Sequence, residues 1–212
     1  MPNLHDQLGG ELDRIRAAGL YRELRTVTSP QGARLRIGGR EFLNFSSNDY
    51  LGLANDPLLK RAAAEAIEKY GVGAGASRLV CGNLEPYEVL EHKLATFKAK
   101  EAAIVFGSGY AANVGTIPAL VGEGDTVILD KLDHASIIDG ARQSGATIRV
   151  YPHQNLKKLD SILGQCDPSR RTLIITETVF SMDGDLAPLA EICALKEAHG
   201  AWLMIDEAHA TG

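Results

Sequence analysis

Cysteine is scarce in this 212-residue chain: Cys81, Cys166 and Cys193 are scattered, odd in number and form no C-x-x-C pair. A disulfide framework and a zinc site are therefore not expected, and the usage suits a reducing cytoplasm. No Gly-Lys dipeptide occurs anywhere, so a phosphate loop of the G-x-x-x-x-G-K-[ST] kind is excluded. With it goes a helicase reading of the ending Asp206-Glu207-Ala208-His209. No apolar run approaches the roughly 20 residues of a transmembrane helix. No long block of like charge is present, and a formal net charge of -5 argues against a nucleic-acid partner. Met1 to Gly10 lacks the basic-then-apolar order of a secretory signal. Internal repeats and low-complexity segments are absent as well.

What the chain does have is ordered alternation. Its hydrophobic content of 45% is ordinary for a globular core. Residues 8–19 read as a short helix ended by a glycine. Residues 34–37 and 41–45 alternate around Gly38-Gly39, a hairpin signal. Asp56-Pro57 supplies an N-cap and a proline at the first helical position, which opens a helix to Tyr70. A flexible glycine-rich stretch, 71–77, follows, and 84–98 is helical again. Strand-like runs then fall at 102–106, 126–129, 147–151, 172–176 and 202–205. Helical patterns fill the gaps at 111–120, 135–144, 156–165 and 189–199. Such alternation predicts an α/β fold with a mostly parallel sheet. We divide the chain into an N-terminal arm with a hairpin, 1–55, and a large α/β domain, 56–212.

Four loops carry candidate chemistry, each following a predicted strand. Gly107-Ser108-Gly109-Tyr110-Ala111-Ala112 opens a helix, where free N–H groups and the helix dipole attract phosphate. The same residues fit the G-x-G-x-x-A dinucleotide fingerprint, and Asp130 lies where a ribose-binding acid should. An NAD site thus stays open beside a simple phosphate seat. In Asp133-His134-Ala135-Ser136, Asp133 is well placed to cap the next helix, and His134 can stack on a flat ligand or carry protons. The loop beginning Thr176-Glu177 carries Ser181, a hydroxyl donor. Finally, Trp202-Leu203-Met204-Ile205 delivers Asp206 and then His209. The apolar run predicts a strand buried on both faces. A charge at its end calls for a partner, either a core arginine or a cationic ligand. An anion seat, a flat ring, a hydroxyl and a carboxylate together meet the needs of pyridoxal 5′-phosphate, whose ring nitrogen works best protonated.

The chain resembles the α-oxoamine synthases, pyridoxal-phosphate enzymes of the aspartate-aminotransferase (type I) fold. The resemblance rests on Asn44-Phe45-Ser46-Ser47-Asn48-Asp49-Tyr50-Leu51-Gly52-Leu53, Gly73-Ala74-Gly75-Ala76-Ser77-Arg78, Ser108-Gly109-Tyr110-Ala111-Ala112-Asn113, Asp133-His134-Ala135-Ser136, Phe180-Ser181-Met182-Asp183-Gly184-Asp185 and Asp206-Glu207-Ala208-His209-Ala210-Thr211-Gly212. It implies a cofactor site with Ser108, Gly109 and Tyr110 at the phosphate, His134 stacked on the ring, Ser181 and His209 near the phenolic oxygen, and Asp206 at the ring nitrogen. It assigns catalysis to His134, Asp206 and His209, and contact with the substrate to Arg22 and His134. No metal is implied. The implied reaction is condensation of L-alanine with a pimeloyl thioester, as in biotin synthesis, by a homodimer with shared active sites. A sister reaction using glycine, giving 5-aminolevulinate or consuming acetyl-CoA, is the alternative. A non-catalytic or NAD-binding module is the reading from another class. The family's Schiff-base lysine and smaller domain are expected beyond Gly212, so these residues alone are not expected to turn over substrate.

Overall fold

The computed structural model describes residues 3–211. They fall into two compact units divided between Gly71 and Val72. The first holds helix α1 (Leu4–Ala17), the hairpin strands β1 (Arg34–Ile37) and β2 (Arg40–Leu43), and helix α2 (Pro57–Tyr70). Helix α1 begins four residues earlier than the pattern predicts, because the Asn3 side chain accepts from the Asp6 N–H and caps it. The hairpin turns on Gly38 and Gly39, with φ of 56° and 77°, the left-handed pair a two-residue turn requires. Asp56 caps α2 by accepting from the N–H groups of Leu58 and Leu59.

The second unit begins with a turn of π-helix, Arg78–Gly82, and helix α3 (Glu85–Phe97). It then builds a four-stranded parallel sheet from β3 (Thr126–Asp130), β4 (Thr147–Tyr151), β5 (Thr172–Glu177) and β6 (Trp202–Asp206). Strand order is β4-β3-β5-β6. Helices α4 (Gly109–Leu120), α5 (Ala135–Ser144), α6 (Leu156–Leu163) and α7 (Leu189–His199) precede or connect the strands. Side chains alternate across a strand, and both central strands are covered on both sides. Val127, Leu129, Leu173 and Ile175 join Ile117, Val121, Ile137 and Ala141 in one apolar layer against α4 and α5. Ile128 and Ile174 face the other way, into Leu159, Ile162, Leu163 and Ile192 of α6 and α7. Each such aliphatic side chain stabilises the fold by roughly 1.5–3 kcal/mol.

Two expectations need correction. Residues 102–106 form no strand: among the described residues nothing pairs with them, and the Val105 N–H donates to the Glu91 carboxylate instead, at 2.8 Å. Ile104 stays 72% exposed. Strand β6 is not buried on both faces either. Among the described residues it pairs with β5 alone, and Trp202 and Ile205 are exposed. The doubly buried strand is β5, every residue of which is buried.

The chain leaves β3 in one direction to form β4, and β5 returns to the other side of β3. Ligands of open α/β sheets sit beyond the strand ends at such a reversal. Close packing of α4 on α5 shapes this point. A Cβ on Gly140 of α5 would lie 2.8 Å from the Asn113 carbonyl oxygen and 2.8 Å from Ile117 Cδ1. Gly140→Ala should therefore force the helices apart and cost about 1–3 kcal/mol, the usual penalty of overpacking. Denaturant unfolding reads this as a lowered midpoint; an unchanged midpoint would contradict the close approach.

Candidate active site

Gly109, Tyr110, Asn113, His134, Ser136, Glu177, Asp206, Ala208 and His209 line one cavity of about 110 Å³ beyond the carboxyl ends of the strands. Parallel pairing sets Glu177 of β5 beside Asp206 of β6. Two neutral donors hold the Asp206 carboxylate: the Asn113 side-chain amide at 3.0 Å and the Ala208 N–H at 2.9 Å. Asn113 is 6% exposed, and its Nδ2 also donates to Ser136 Oγ at 2.9 Å. Ser136 Oγ lies 2.7 Å from His134 Nδ1. The His134 backbone N–H donates to Glu177 Oε1 at 2.7 Å. That bond ties the end of β5 to the loop after β3, across the reversal in strand order.

At the start of α4, Ser108 accepts from the Ala111 N–H, and no described residue accepts from the N–H of Gly109 or Tyr110. A Cβ at Gly107 or Gly109 would meet nothing within 4 Å. These N–H groups are open to an anion. The Tyr110 hydroxyl donates to Asp139 at 3.0 Å, which raises the phenol's pKa.

The cavity thus gathers Gly109, Tyr110, His134, Asp206 and His209 from the sequence-derived set. It does not gather Ser108, which serves as the helix cap, or Ser181, which is exposed on its turn. Arg22 is exposed in the first unit. Of the final motif, Gly212 lies outside the described residues. Asp133 does not cap α5; His134 does, accepting from the Ser136 N–H at its Nδ1. Asp133 instead closes the preceding turn by accepting from the Asp130 N–H. Asp206 meets an amide rather than a core arginine. Asn113, Ser136 and Glu177 lie within the motifs named above, but the sequence gives none of them a role of its own. The signal for Asn113 was a polar residue in an otherwise apolar stretch of helix.

Asp130 does not suit a ribose. It is 2% exposed, and its oxygens accept from the N–H groups of Leu132 and Gln154 and meet His153 Nδ1 at 2.9 Å. The other ring nitrogen of His153 lies 2.8 Å from Asp185. Burial works against charging that imidazole, but the two aspartates outweigh it and raise its pKa.

Residues 40–212 match the family model described as aminotransferase class I and II. The chain is 56% identical over 205 residues to an 8-amino-7-oxononanoate synthase from Geobacter sulfurreducens, covering 97% of this chain and 52% of that protein. It is 53% identical to the enzyme of the same name from Geotalea daltonii, covering 96% and 52%. A solved serine palmitoyltransferase from S. paucimobilis, with a bound PLP–myriocin aldimine, superposes with a TM-score of 0.88 at 34% identity, over 97% of this chain and 53% of that one. The chain spans about half the length of the curated relatives it matches.

Around the cavity the strand ends are rich in acid. Burial first, and the charge of Asp206 among other causes, raises the pKa of Glu177. Asp133, buried with its Oδ1 unpartnered among the described residues, is pushed up from 3.8 to about 9, by burial and then by the charge of Asp130. Its folded state therefore favours the proton more than its unfolded state does. The associated stability is present below pH 3.8 and is lost as pH rises through about 9. Asp133→Asn keeps the shape without the titration, so it should flatten the decline in unfolding free energy across that window. Parallel pH profiles for both proteins would contradict a buried, protonated Asp133.

Proposed function

The chain belongs to the aminotransferase class I and II family, and from that premise we propose that its protein is a pyridoxal 5′-phosphate enzyme of biotin synthesis. In this reading it condenses L-alanine with a pimeloyl thioester and releases 8-amino-7-oxononanoate, CO₂ and the free thiol. One observation carries the proposal. An open helix N-terminus, an imidazole and a carboxylate meet at one cavity, at the reversal of strand order. The names of the relatives at 56% and 53% identity support the choice of substrates. A homodimer with shared active sites is part of the proposal, on the strength of the family resemblance.

The residues present fit this cofactor. The N–H groups of Gly109 and Tyr110, with open space at Gly107 and Gly109, would receive its phosphate. When bound, pyridoxal phosphate supplies an electron sink for the charge released at the amino acid's α-carbon. Asp206 would hold a proton on the ring nitrogen, since an opposite charge in contact favours the protonated form by about 1–3 pKa units. His134 would provide a flat wall against the ring, and His209 a donor toward the phenolic oxygen. Asn113 and Glu177 act one step back, on Asp206 and on the His134 backbone.

The test is made on the protein expressed at the full length of its gene. With pyridoxal phosphate, L-alanine and pimeloyl-CoA, it should form the amino-oxo acid and CO₂. Faster reaction of glycine with acetyl-CoA would assign a sister reaction and reject this one. Asp206→Asn removes the charge and forfeits about 1.4–4 kcal/mol of support for the ring proton. Turnover should then fall by roughly tenfold to a thousandfold while the cofactor can still bind. An undiminished kcat would remove Asp206 from this role.

A further inference from the structure

We propose that Asn113 and Ser136 are positioning residues that hold His134 as the tautomer protonated at Nε2. Which atoms can only donate and which can only accept decides the protons. At one end of the network stands the Asp206 carboxylate, which can only accept. The group 3.0 Å from its Oδ2 must therefore be the Asn113 amide nitrogen, and this fixes the orientation of an amide whose two ends look alike. The second hydrogen on that nitrogen goes to Ser136 Oγ, 2.9 Å away. At the other end stands the Ser136 backbone N–H, which can only donate. It points at His134 Nδ1 over 3.2 Å, so Nδ1 carries the lone pair.

Ser136 Oγ lies between these two ends. It already receives a hydrogen from Asn113, and its neighbour at 2.7 Å is the unprotonated Nδ1. Its own hydrogen is therefore spent on that nitrogen. Two atoms with no choice thus determine every proton in the chain Asp206–Asn113–Ser136–His134. Asn113 is 6% exposed and Ser136 is 1% exposed, so water does not readily replace either member. Gly140 permits the arrangement, since any larger residue there would strike the Asn113 carbonyl.

The consequence is directional. In a neutral imidazole one nitrogen donates and the other accepts, and the partner of the first decides the role of the second. His134 lines the cavity with its accepting nitrogen already used. The remaining Nε2–H makes the ring a donor toward a carboxylate or phenolate oxygen of a bound molecule. The placement concerns the same cavity as the proposed reaction, but it does not depend on that reaction being correct.

The test is ¹⁵N NMR of the histidine-labelled full-length protein, without cofactor or substrate. The wild type should show a pyridine-like shift at His134 Nδ1 and a pyrrole-like shift with a directly bonded hydrogen at Nε2. Ser136→Ala leaves only the longer backbone bond, so the two shifts should converge. Asn113→Leu frees the Ser136 hydroxyl to rotate and should move them the same way. Ser136→Thr keeps the hydroxyl and should restore the wild-type pair. A hydrogen on Nδ1 in the wild type would overturn the proposal even if no variant folds. Unchanged shifts in both Ser136→Ala and Asn113→Leu would remove these residues from the role. Because no cofactor is present, failure here is distinct from failure of the assigned reaction, which the product assay reads.

Discussion

Parallel pairing of β5 with β6 sets Glu177 directly beside Asp206, and the rest of the site is organised around that juxtaposition. A parallel ladder in this register brings the strand ends to one edge, and here three of the four strands end in an acid: Asp130, Glu177 and Asp206. Asp133 joins them from the loop after β3. Like charges this close cannot all be solvated by a dry core. Each has its own remedy. Asp130 meets His153 and two N–H groups. Asp133 keeps its proton. Glu177 accepts the His134 N–H. Asp206 accepts from Asn113 and Ala208, and it is only partly buried and lines the cavity.

Backbone geometry decides where those remedies come from. Helix α4 reaches Asp206 through Asn113, and α5 approaches α4 closely at Gly140, the position that meets the Asn113 carbonyl. Helix α5 starts at His134, whose ring caps it and whose backbone N–H crosses to β5. A reversal in strand order leaves a crevice at that crossing, and the cavity is found there. Two ion pairs join segments of the second unit. Lys98 pairs with Glu207, the residue after Asp206. Arg78 grips Glu91 with both nitrogens, at 2.6 and 2.9 Å, and this lowers the Glu91 pKa to about 2, with help from the Val105 N–H.

Much of this was legible in the residues. The strand at 147–151 and the helices at 135–144 and 189–199 lie where the sequence pattern puts them, because strand and helix alternate regularly and helices cover both faces of the sheet. The Gly38-Gly39 turn and the Asp56-Pro57 cap carry local chemistry that needs no tertiary help. Residues 102–106 differ for the opposite reason. Their composition suits a strand, but a strand exists only through a neighbour, and the Val105 N–H finds a carboxylate instead. The apolar run of β6 likewise does not reveal how much of each face is covered, and Trp202 and Ile205 are exposed. At the site, His134, Asp206 and His209 could be found as polar residues at strand ends. Asn113 and Ser136 stand in the same motifs, but their role does not show there, because it lies in a hydrogen-bond path that joins residues 93 and 23 positions apart. The Asp133 cap failed on a single position: His134 has a ring nitrogen that reaches the Ser136 N–H, and the aspartate was needed one turn earlier.

The account rests on Asp206 serving a cationic ring. The most direct measurement is a crystal structure of the full-length protein grown with pyridoxal 5′-phosphate. The account predicts an Asp206 oxygen within about 3 Å of the pyridine nitrogen, hydrogen-bond distance, with the phosphate at the start of α4. A cofactor bound with its ring nitrogen away from Asp206, or seated elsewhere on the molecule, would contradict it.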